Sequence, residues 1–289
     1  MKFNYLKTIF GSAIAATCLI SATGGAAQAG QLYNGWNYGI DARGDGSGGS
    51  QYDIYGMATL ETSDSIWVAL TGGTPLAGVS NSRAADRNIG WGDLFFNFTG
   101  NDFQAANQNS SLFGVRFAGN NDSGVSQVGV YSNVQAHSVA STNAGYNHLQ
   151  HYYTAERSKY NRANTMGTDI ATRDEAYDYF GQQTSINNVI ASGNRVGDIA
   201  MQSQDELMAA GLDFGHFGAL GTHTIGFSFD KSLMGSGDYM ASLFLECGND
   251  GVALGGHATE SVPEPATAAG LAFLGLTLMG GKLRKRRDA

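Results

Sequence analysis

Large apolar residues alternate with small or polar ones in several short segments of this 289-residue chain. In residues 224–229 the apolar positions are Ile225, Phe227 and Phe229. Successive side chains of a β-strand point to opposite faces, so this period predicts a strand with one buried face. Similar patterns predict further strands at residues 36–40, 65–70, 94–98, 113–117, 127–134 and 239–247. In the strand at residues 113–117, Arg116 is predicted to face solvent.

Clusters of turn-forming residues separate these segments, at residues 44–50, 72–75, 119–124 and 235–238. The chain contains 41 Gly without a Gly-X-Y period, which excludes a collagen, and its 11% of aromatic residues is too many for a disordered chain. Short strands joined by polar turns predict an all-β fold, namely an antiparallel β-sandwich of jelly-roll-like type.

Residues 146–210 interrupt the alternation with charged residues, and we expect a partly helical excursion there. A short helix is predicted at residues 174–180. A second helix is predicted after Ser203, whose side chain can cap the free amides, with Glu206 reaching back to the cap and Gly211 ending the helix. An extra hairpin is expected at residues 186–199.

Charge is unevenly distributed along the chain, whose formal net charge is −8. Residues 1–29 contain two lysines and no acidic residue, and residues 282–287 are almost all basic, so the acidic residues concentrate in the body between them. An acidic body lacks the basic face that phosphates require, which argues against a nucleic-acid partner.

The N-terminus has the three parts of a secretory signal peptide. Lys2 and Lys7 form the charged region, residues 8–22 are mostly apolar, and Ala27 and Ala29 supply the small residues that a signal peptidase accepts. We expect cleavage after Ala29. An uncleaved membrane anchor is the alternative.

The C-terminus also has three parts in a fixed order. Pro263, Glu264 and Pro265 precede sixteen uncharged residues at 266–281, after which comes a basic cluster that includes Arg284, Arg286 and Arg287. The uncharged stretch is slightly short for a membrane span, which needs about 17–25 residues, and the basic cluster would hold its end on the cytoplasmic side. The prolines keep the preceding strip extended, as a processing peptidase requires.

These three parts resemble the PEP-CTERM sorting signal. The resemblance implies recognition by a membrane-embedded exosortase, removal of the span and delivery to the bacterial surface. An ordinary membrane anchor with a chance Pro-Glu-Pro tripeptide is the alternative. The body resembles exosortase-dependent surface proteins of cyanobacterial type at residues 34–41, 55–58, 92–98 and 243–250. The chain therefore divides into a signal peptide (1–29), a β-sandwich surface domain (30–259) and the sorting signal (260–289).

No sequence motif predicts catalysis. Residues 44–49 nearly match a serine-protease signature but carry one glycine too many and lack a triad context, so a flexible turn is expected. His148 and His151 are the only closely spaced histidine pair, and a non-helical setting without a third ligand argues against a metal. No metal or other cofactor is therefore predicted, although a calcium site assembled from distant loops stays open.

Two cysteines occur in the sequence. Cys18 lies in the apolar part of the signal peptide and would be removed with it. Cys247 would then be the sole cysteine, unable to form an intramolecular disulfide, and its apolar surroundings predict a buried, unreactive thiol.

The sequence thus predicts a noncatalytic structural or adhesive protein of the cell surface, outer envelope or extracellular matrix. Its expected partners are signal peptidase, exosortase and, before cleavage, the membrane, with envelope or matrix polysaccharide as a further candidate. The first alternative is a lectin-like module in which Trp36, Trp67 or Trp91 stacks on sugar rings, although Trp67 is expected in the core. The second is a glycan hydrolase, which would need two facing carboxylates.

Overall fold

The computed structural model describes residues 30–160 and 166–260, which form a mainly β structure with three antiparallel sheets and few helices. This confirms the predicted fold class at the level of antiparallel β-sheets. The predicted signal peptide at residues 1–29 and the predicted span at residues 266–281 lie outside the described residues. Within the described residues no helix is both long and apolar enough to cross a membrane.

The first sheet has six strands, and the first four of them in spatial order are also consecutive in the chain. In spatial order the strands are β1 (Gln31–Tyr33), β2 (Trp36–Ile40), β3 (Ile54–Glu61), β4 (Ser65–Gly72), β12 (His223–Asp230) and β11 (Ala200–Gln202). The strand predicted from the alternation at residues 224–229 is β12, and it pairs with β4 along its whole length.

The second sheet also has six strands. In spatial order these are β10 (Val189–Gly197), β9 (Gly129–His137), β8 (Leu112–Arg116), β7 (Leu94–Asn97), β13 (Gly237–Phe244) and β14 (Gly251–Ala258). A two-stranded sheet of β5 (Val79–Ser80) and β6 (Asn88–Ile89) lies in the connection between the two.

Side chains of both sheets fill one hydrophobic core. Phe227 of β12 stacks on Phe117, which follows β8, with ring centroids 5.0 Å apart. Phe229 of β12 meets Phe96 of β7 edge to face at 6.1 Å. Because β12 belongs to one sheet and β7 and β8 to the other, these aromatic pairs join the two sheets across the core.

The excursion contains α2 (Leu149–Tyr160), α3 (Arg173–Phe180) and α4 (Gln204–Ala209), while a further short helix, α1 (Phe103–Gln108), lies outside it. The predicted capping of α4 is confirmed, because the Ser203 hydroxyl accepts from Glu206 N and the Glu206 carboxylate accepts from Ser203 N. The predicted hairpin is wrong: β10 pairs with β9 in the second sheet, whereas β11 pairs with β12 in the first.

The predicted orientation of Arg116 is also wrong. Its side chain is 95% buried although its neighbours alternate as expected, because the loop after β8 folds over it. The guanidinium donates to Asn121 Oδ1 at 2.9 Å and to the carbonyl of Gly119 at 3.0 Å. A charged residue at an apparently outward position is therefore enclosed by backbone acceptors supplied by the next loop.

The chain is fastened to the first sheet just after β14. The Glu61 carboxylate, at the end of β3, accepts hydrogen bonds from the backbone N–H and the hydroxyl of Thr259. Lys231 Nζ donates to Thr259 Oγ1 and to Glu61 Oε1, each at 3.1 Å. We call these three residues the Thr259 clamp.

Candidate functional sites

The loop between β2 and β3 is held in a compact form by Asp53. Its carboxylate accepts hydrogen bonds from Gly44 N at 2.7 Å and Gly46 N at 3.0 Å. Gly44 has a φ of 79°, a region that glycine adopts without strain. The segment predicted as a flexible turn is thus folded back on itself, and its Asp45 side chain is 96% buried.

The turn between β13 and β14 packs against this loop. Asn249 and Ser47 exchange hydrogen bonds, from Ser47 N to the Asn249 carbonyl at 3.1 Å and from Asn249 Nδ2 to the Ser47 carbonyl at 2.9 Å. Asp250, the next residue, accepts from Ile54 N at 2.6 Å and from Gly251 N at 2.9 Å. Two loops almost 200 residues apart in the chain are therefore joined at the start of β3.

This junction brings together three buried carboxylates, which we call the acid cluster: Asp41, Asp45 and Asp250. One oxygen of each lies within 4.8 Å of the others. Asp41 and Asp45 are 4% exposed and Asp250 is 1% exposed. Burial raises the pKa of Asp250 well above its ordinary value, and the negative charges of Asp41 and Asp45 raise it further.

Helix α2 covers the acid cluster with two tyrosines. The Tyr152 hydroxyl donates to the carbonyl of Asp45 at 2.7 Å. Tyr153 is 2% exposed, and its hydroxyl has no hydrogen-bond partner among the described residues. Burial raises the pKa of Tyr153, and the charges of the three cluster carboxylates add to the rise.

The acid cluster has the oxygen chemistry of a hard-cation site, because carboxylates are the ligands that Ca²⁺ and Mg²⁺ prefer. It does not have the accessibility of a glycan hydrolase site, in which two carboxylates must flank a sugar. The sequence contains both halves, residues 41–46 and 249–251, but each half alone is equally typical of a turn. Only the packing of the two loops reveals the cluster.

A second buried polar network surrounds Asp93, just before β7. Its carboxylate accepts from Asn121 Nδ2 at 2.8 Å, from Ser123 Oγ at 2.7 Å and from Ile190 N at 2.7 Å. Burial raises the pKa of Asp93 to about 6, although these hydrogen bonds oppose the rise. All three of these donors are groups of the protein itself. The network is therefore structural, and it ties the loop after β8 to β10.

Glu246, which follows β13, joins the segment before β7 to the loop after β8. Its carboxylate accepts from Gly90 N at 2.7 Å and from Asp122 N at 2.5 Å. Burial raises the pKa of Glu246 from 4.5 to about 7, which the hydrogen bonds only partly offset.

The tryptophans and the cysteine that the sequence offered as candidate functional residues are mostly engaged in packing. Trp36 and Trp91 are fully buried, which removes them as sugar-stacking platforms. Trp67 is partly buried and packs against the core cluster that contains Trp36, in line with its expected packing role. Cys247 is buried as predicted, and burial raises its pKa to about 12.

The histidine pair lies where α2 begins, so the expected non-helical setting is wrong. His148 Nδ1 accepts a hydrogen bond from His151 N at 3.1 Å, which occupies that nitrogen in an N-terminal cap of the helix. The pair is thereby explained without a ligand.

One surface cleft of about 420 Å³ remains open beside α3. Its lining combines two tyrosines, Tyr179 and Tyr239, with Asn97 and with four acidic residues: Asp102, Glu175, Asp178 and Asp238. Aromatic walls with a few polar groups are typical of small-molecule and sugar sites.

The processing residues predicted from the sequence lie outside the described residues: Ala27, Ala29, Pro263, Glu264, Pro265, Arg284, Arg286 and Arg287. Residues 261–287 match the family model for the PEP-CTERM protein-sorting motif. The chain carries an exosortase sorting motif. This motif implies an exported protein that exosortase processes on its way to the cell surface, with a C-terminal sorting tail. No curated protein and no solved structure is significantly similar to the chain.

Proposed function

We propose that this protein is a noncatalytic structural or adhesive component of the cell surface or extracellular matrix, of cyanobacterial type. The match of residues 261–287 to the sorting motif carries the proposal. Signal peptidase removes residues 1–29, the membrane span holds the chain transiently, and exosortase releases a β-sandwich body formed by the two six-stranded sheets. The shared aromatic core of these sheets supports the sandwich.

The burial of reactive groups supports a noncatalytic role. Among the described residues, the acid cluster, Asp93, Glu246 and Cys247 are enclosed in the protein, where a glycan or peptide substrate cannot reach them. Catalysis requires a group within hydrogen-bond reach of the substrate. The buried polar groups instead hold loops together, as a surface protein exposed to a variable environment requires.

The processing part is tested by replacing Pro263, Glu264 and Pro265 with Ala. The apolar stretch and the basic end are unchanged, so membrane insertion should persist while release fails and uncut protein accumulates in the membrane fraction. Thr267→Ala is the matched control, because it alters the same region but keeps the tripeptide. Intact mass of surface-extracted wild-type protein should correspond to residues from 30 to about 265. Equal release of the triple variant and wild type would refute exosortase processing at this motif.

The structural role is tested by deleting the gene that encodes this chain from its host and measuring cell adhesion and matrix retention. Complementation by wild type, but not by the triple-Ala variant, should restore both properties. Normal adhesion and matrix in the deletion strain would contradict the proposed role while leaving the sorting route intact.

Binding of envelope polysaccharide is the second candidate function, and the cleft beside α3 favours it. A glycan array with surface-extracted protein tests this function. Asp178→Asn, in the cleft wall, should lower any glycan signal, whereas Asp64→Asn, an exposed residue elsewhere, should not.

A further inference from the structure

Gly30, the residue before β1, is buried and closely surrounded. A Cβ atom added to it would lie 2.4 Å from Asn37 Oδ1, 2.6 Å from Leu254 Cδ1 and 2.8 Å from the carbonyl oxygen of Tyr38. The position therefore has no room for a side chain. Cleavage after Ala29 would make Gly30 the first residue of the processed protein, so its free amino group would arise at this enclosed point.

The Asn37 side chain presents an unused hydrogen-bond acceptor beside Gly30. Its Nδ2 donates to the carbonyl of Gly255 in β14 at 2.8 Å, and this bond fixes the orientation of the amide. Its Oδ1 is buried and has no hydrogen-bond partner among the described residues, Gly30 included. Buried acceptors without a partner are rare and costly in folded proteins, so this oxygen indicates a missing donor.

Cleavage changes what Gly30 can donate. Within a continuous chain, Gly30 has one N–H, and the peptide plane fixes its direction. A free amino group is protonated and carries three N–H donors, which rotate to suit their acceptors. The nitrogen is bonded to the same Cα as the added Cβ, so it lies within about 5 Å of Asn37 Oδ1. A small rotation of the new terminus then brings one donor to this oxygen.

Asp169 supplies a negative charge close to the same point. Its Oδ2 accepts from Gly255 N at 2.9 Å, and the carbonyl of that glycine holds Asn37. The N–H and C=O of one residue in an antiparallel strand point to the same side, so both side chains lie along the same edge of β14. Burial raises the pKa of Asp169 to about 6, which leaves it mainly ionised at neutral pH. Its charge therefore favours a cation nearby.

We propose that Asn37 Oδ1 binds the α-ammonium group that signal peptidase creates at Gly30, with Asp169 as the nearby opposite charge. This inference rests on the proposed cleavage after Ala29. The new terminus would join β1 to β2 and, through Asn37, to β14, so that removal of the signal peptide completes the fold of the body. Capture of an amino terminus by enclosed polar groups is a known mode of recognition.

The experiment measures the reactivity of the amino terminus in protein extracted from the cell surface. Intact mass identifies the first residue, and peptide mass spectrometry then follows acylation of its α-amino group at pH 7. The native protein should react at least about tenfold more slowly than the protein in denaturant, the factor expected of one hydrogen bond to a charged group. Equal rates would overturn the inference while leaving cleavage after Ala29 intact. A first residue other than Gly30 would refute both the cleavage position and the site.

Insertion of one Ser between Ala29 and Gly30 tests the position of the amino group without changing any side chain of the body. The processed variant should begin at the inserted Ser, which moves its amino group by about 3.8 Å. It should therefore be acylated as fast as in denaturant, and it should melt at a lower temperature than wild type. Slow acylation of this variant in the native state would show that other groups shield the terminus, which would refute the site.

Variants of Asn37 identify the acceptor. Asn37→Ala should give fast acylation, whereas Asn37→Asp, which keeps an acceptor and loses only the bond to Gly255, should stay slow. Asn194→Ala, at an exposed position, is the matched control and should react as wild type does. Equally fast acylation of the Ala and Asp variants would mean that Asn37 acts only through Gly255, contrary to the proposal. If Asn37→Ala does not fold, the Ser insertion still decides.

Discussion

Arg116 donates to both the side-chain oxygen and the backbone carbonyl of Asn121, at 2.9 Å and 3.2 Å, inside the protein. The same guanidinium donates to the carbonyls of Val125 and Gly119. One arginine therefore donates to three backbone carbonyls and one side-chain oxygen of the loop that follows β8, and Asn121 of this loop in turn donates to Asp93.

Replacing Arg116 with Ala should destabilise the protein by about 3 kcal/mol or more, because several buried acceptors lose their only charged donor. Urea denaturation monitored by tryptophan fluorescence measures this loss. Arg195→Ala is the matched control, since Arg195 is an exposed arginine that bonds the carbonyl of Val128, and its cost should stay below about 1 kcal/mol. A loss at position 116 no larger than that at position 195 would contradict the structural role of the network.

Glu246 should make stability fall as the pH rises from about 5 to 8. Burial raises its pKa from 4.5 to about 7, so between these values the folded protein binds a proton that the unfolded chain does not. The protonated side chain therefore favours folding at low pH, and this contribution, about 3 kcal/mol at most, is lost as the pH passes through 7.

Glu246→Gln cannot titrate, so its free energy of unfolding should change less between pH 5 and pH 8 than that of wild type. The buried Asp93 is present in both proteins and cancels in the comparison. Asp64→Asn, which removes an exposed carboxylate, should keep the wild-type pH dependence. A pH dependence in Glu246→Gln equal to that of wild type would show that this carboxyl titrates normally.

Gly145 has no room for a side chain. A Cβ atom there would overlap the carbonyl oxygen of Cys247, which accepts from Tyr146 N at 2.9 Å. Gly145→Ala should therefore lower stability by about 1–3 kcal/mol. Gly119→Ala is the control, because nothing lies within 4 Å of its added Cβ. Equal denaturation midpoints for the two variants would contradict the close approach at residue 145.

Cys247 should be the single thiol of the processed protein, and it should react only after unfolding. The thiolate is the reactive form, and burial raises the pKa of Cys247 to about 12. Titration with a thiol reagent should give little reaction in buffer and one thiol per chain in denaturant. Two thiols in denaturant would mean that Cys18 is retained and the signal peptide is uncut, whereas rapid reaction in buffer would contradict the burial of Cys247.

Features governed by residues close in sequence were predictable. The alternation of Ile225, Phe227 and Phe229 identifies β12, and the Ser203–Glu206 pair identifies the cap of α4, because strand period and helix capping are local. The start of α2 was missed, since Leu149 and the residues after it lack a clear apolar stripe and the helix is stabilised by packing.

Features that depend on long-range packing were not predictable. Arg116 occupies an outward position in the alternation, and only the fold of the following loop encloses it. Asp41 and Asp250 meet because the loops at the ends of β2 and β13 pack together, and nothing in either segment specifies the other. The sorting motif shows the opposite case, because a peptidase reads its residues as a linear sequence.

The Thr259 clamp fixes the point at which the tail leaves the body. From a fixed Thr259, a chain at full extension carries Pro263 no farther than about 15 Å. The connection between the folded domain and the tripeptide is therefore short. Any enzyme that binds the tripeptide must approach the surface that carries Glu61 and Lys231. The active-site entrance of the cleaving enzyme must therefore be wide enough to accommodate the folded domain beside the motif. Inserting residues between Thr259 and Pro263 would relax this steric requirement.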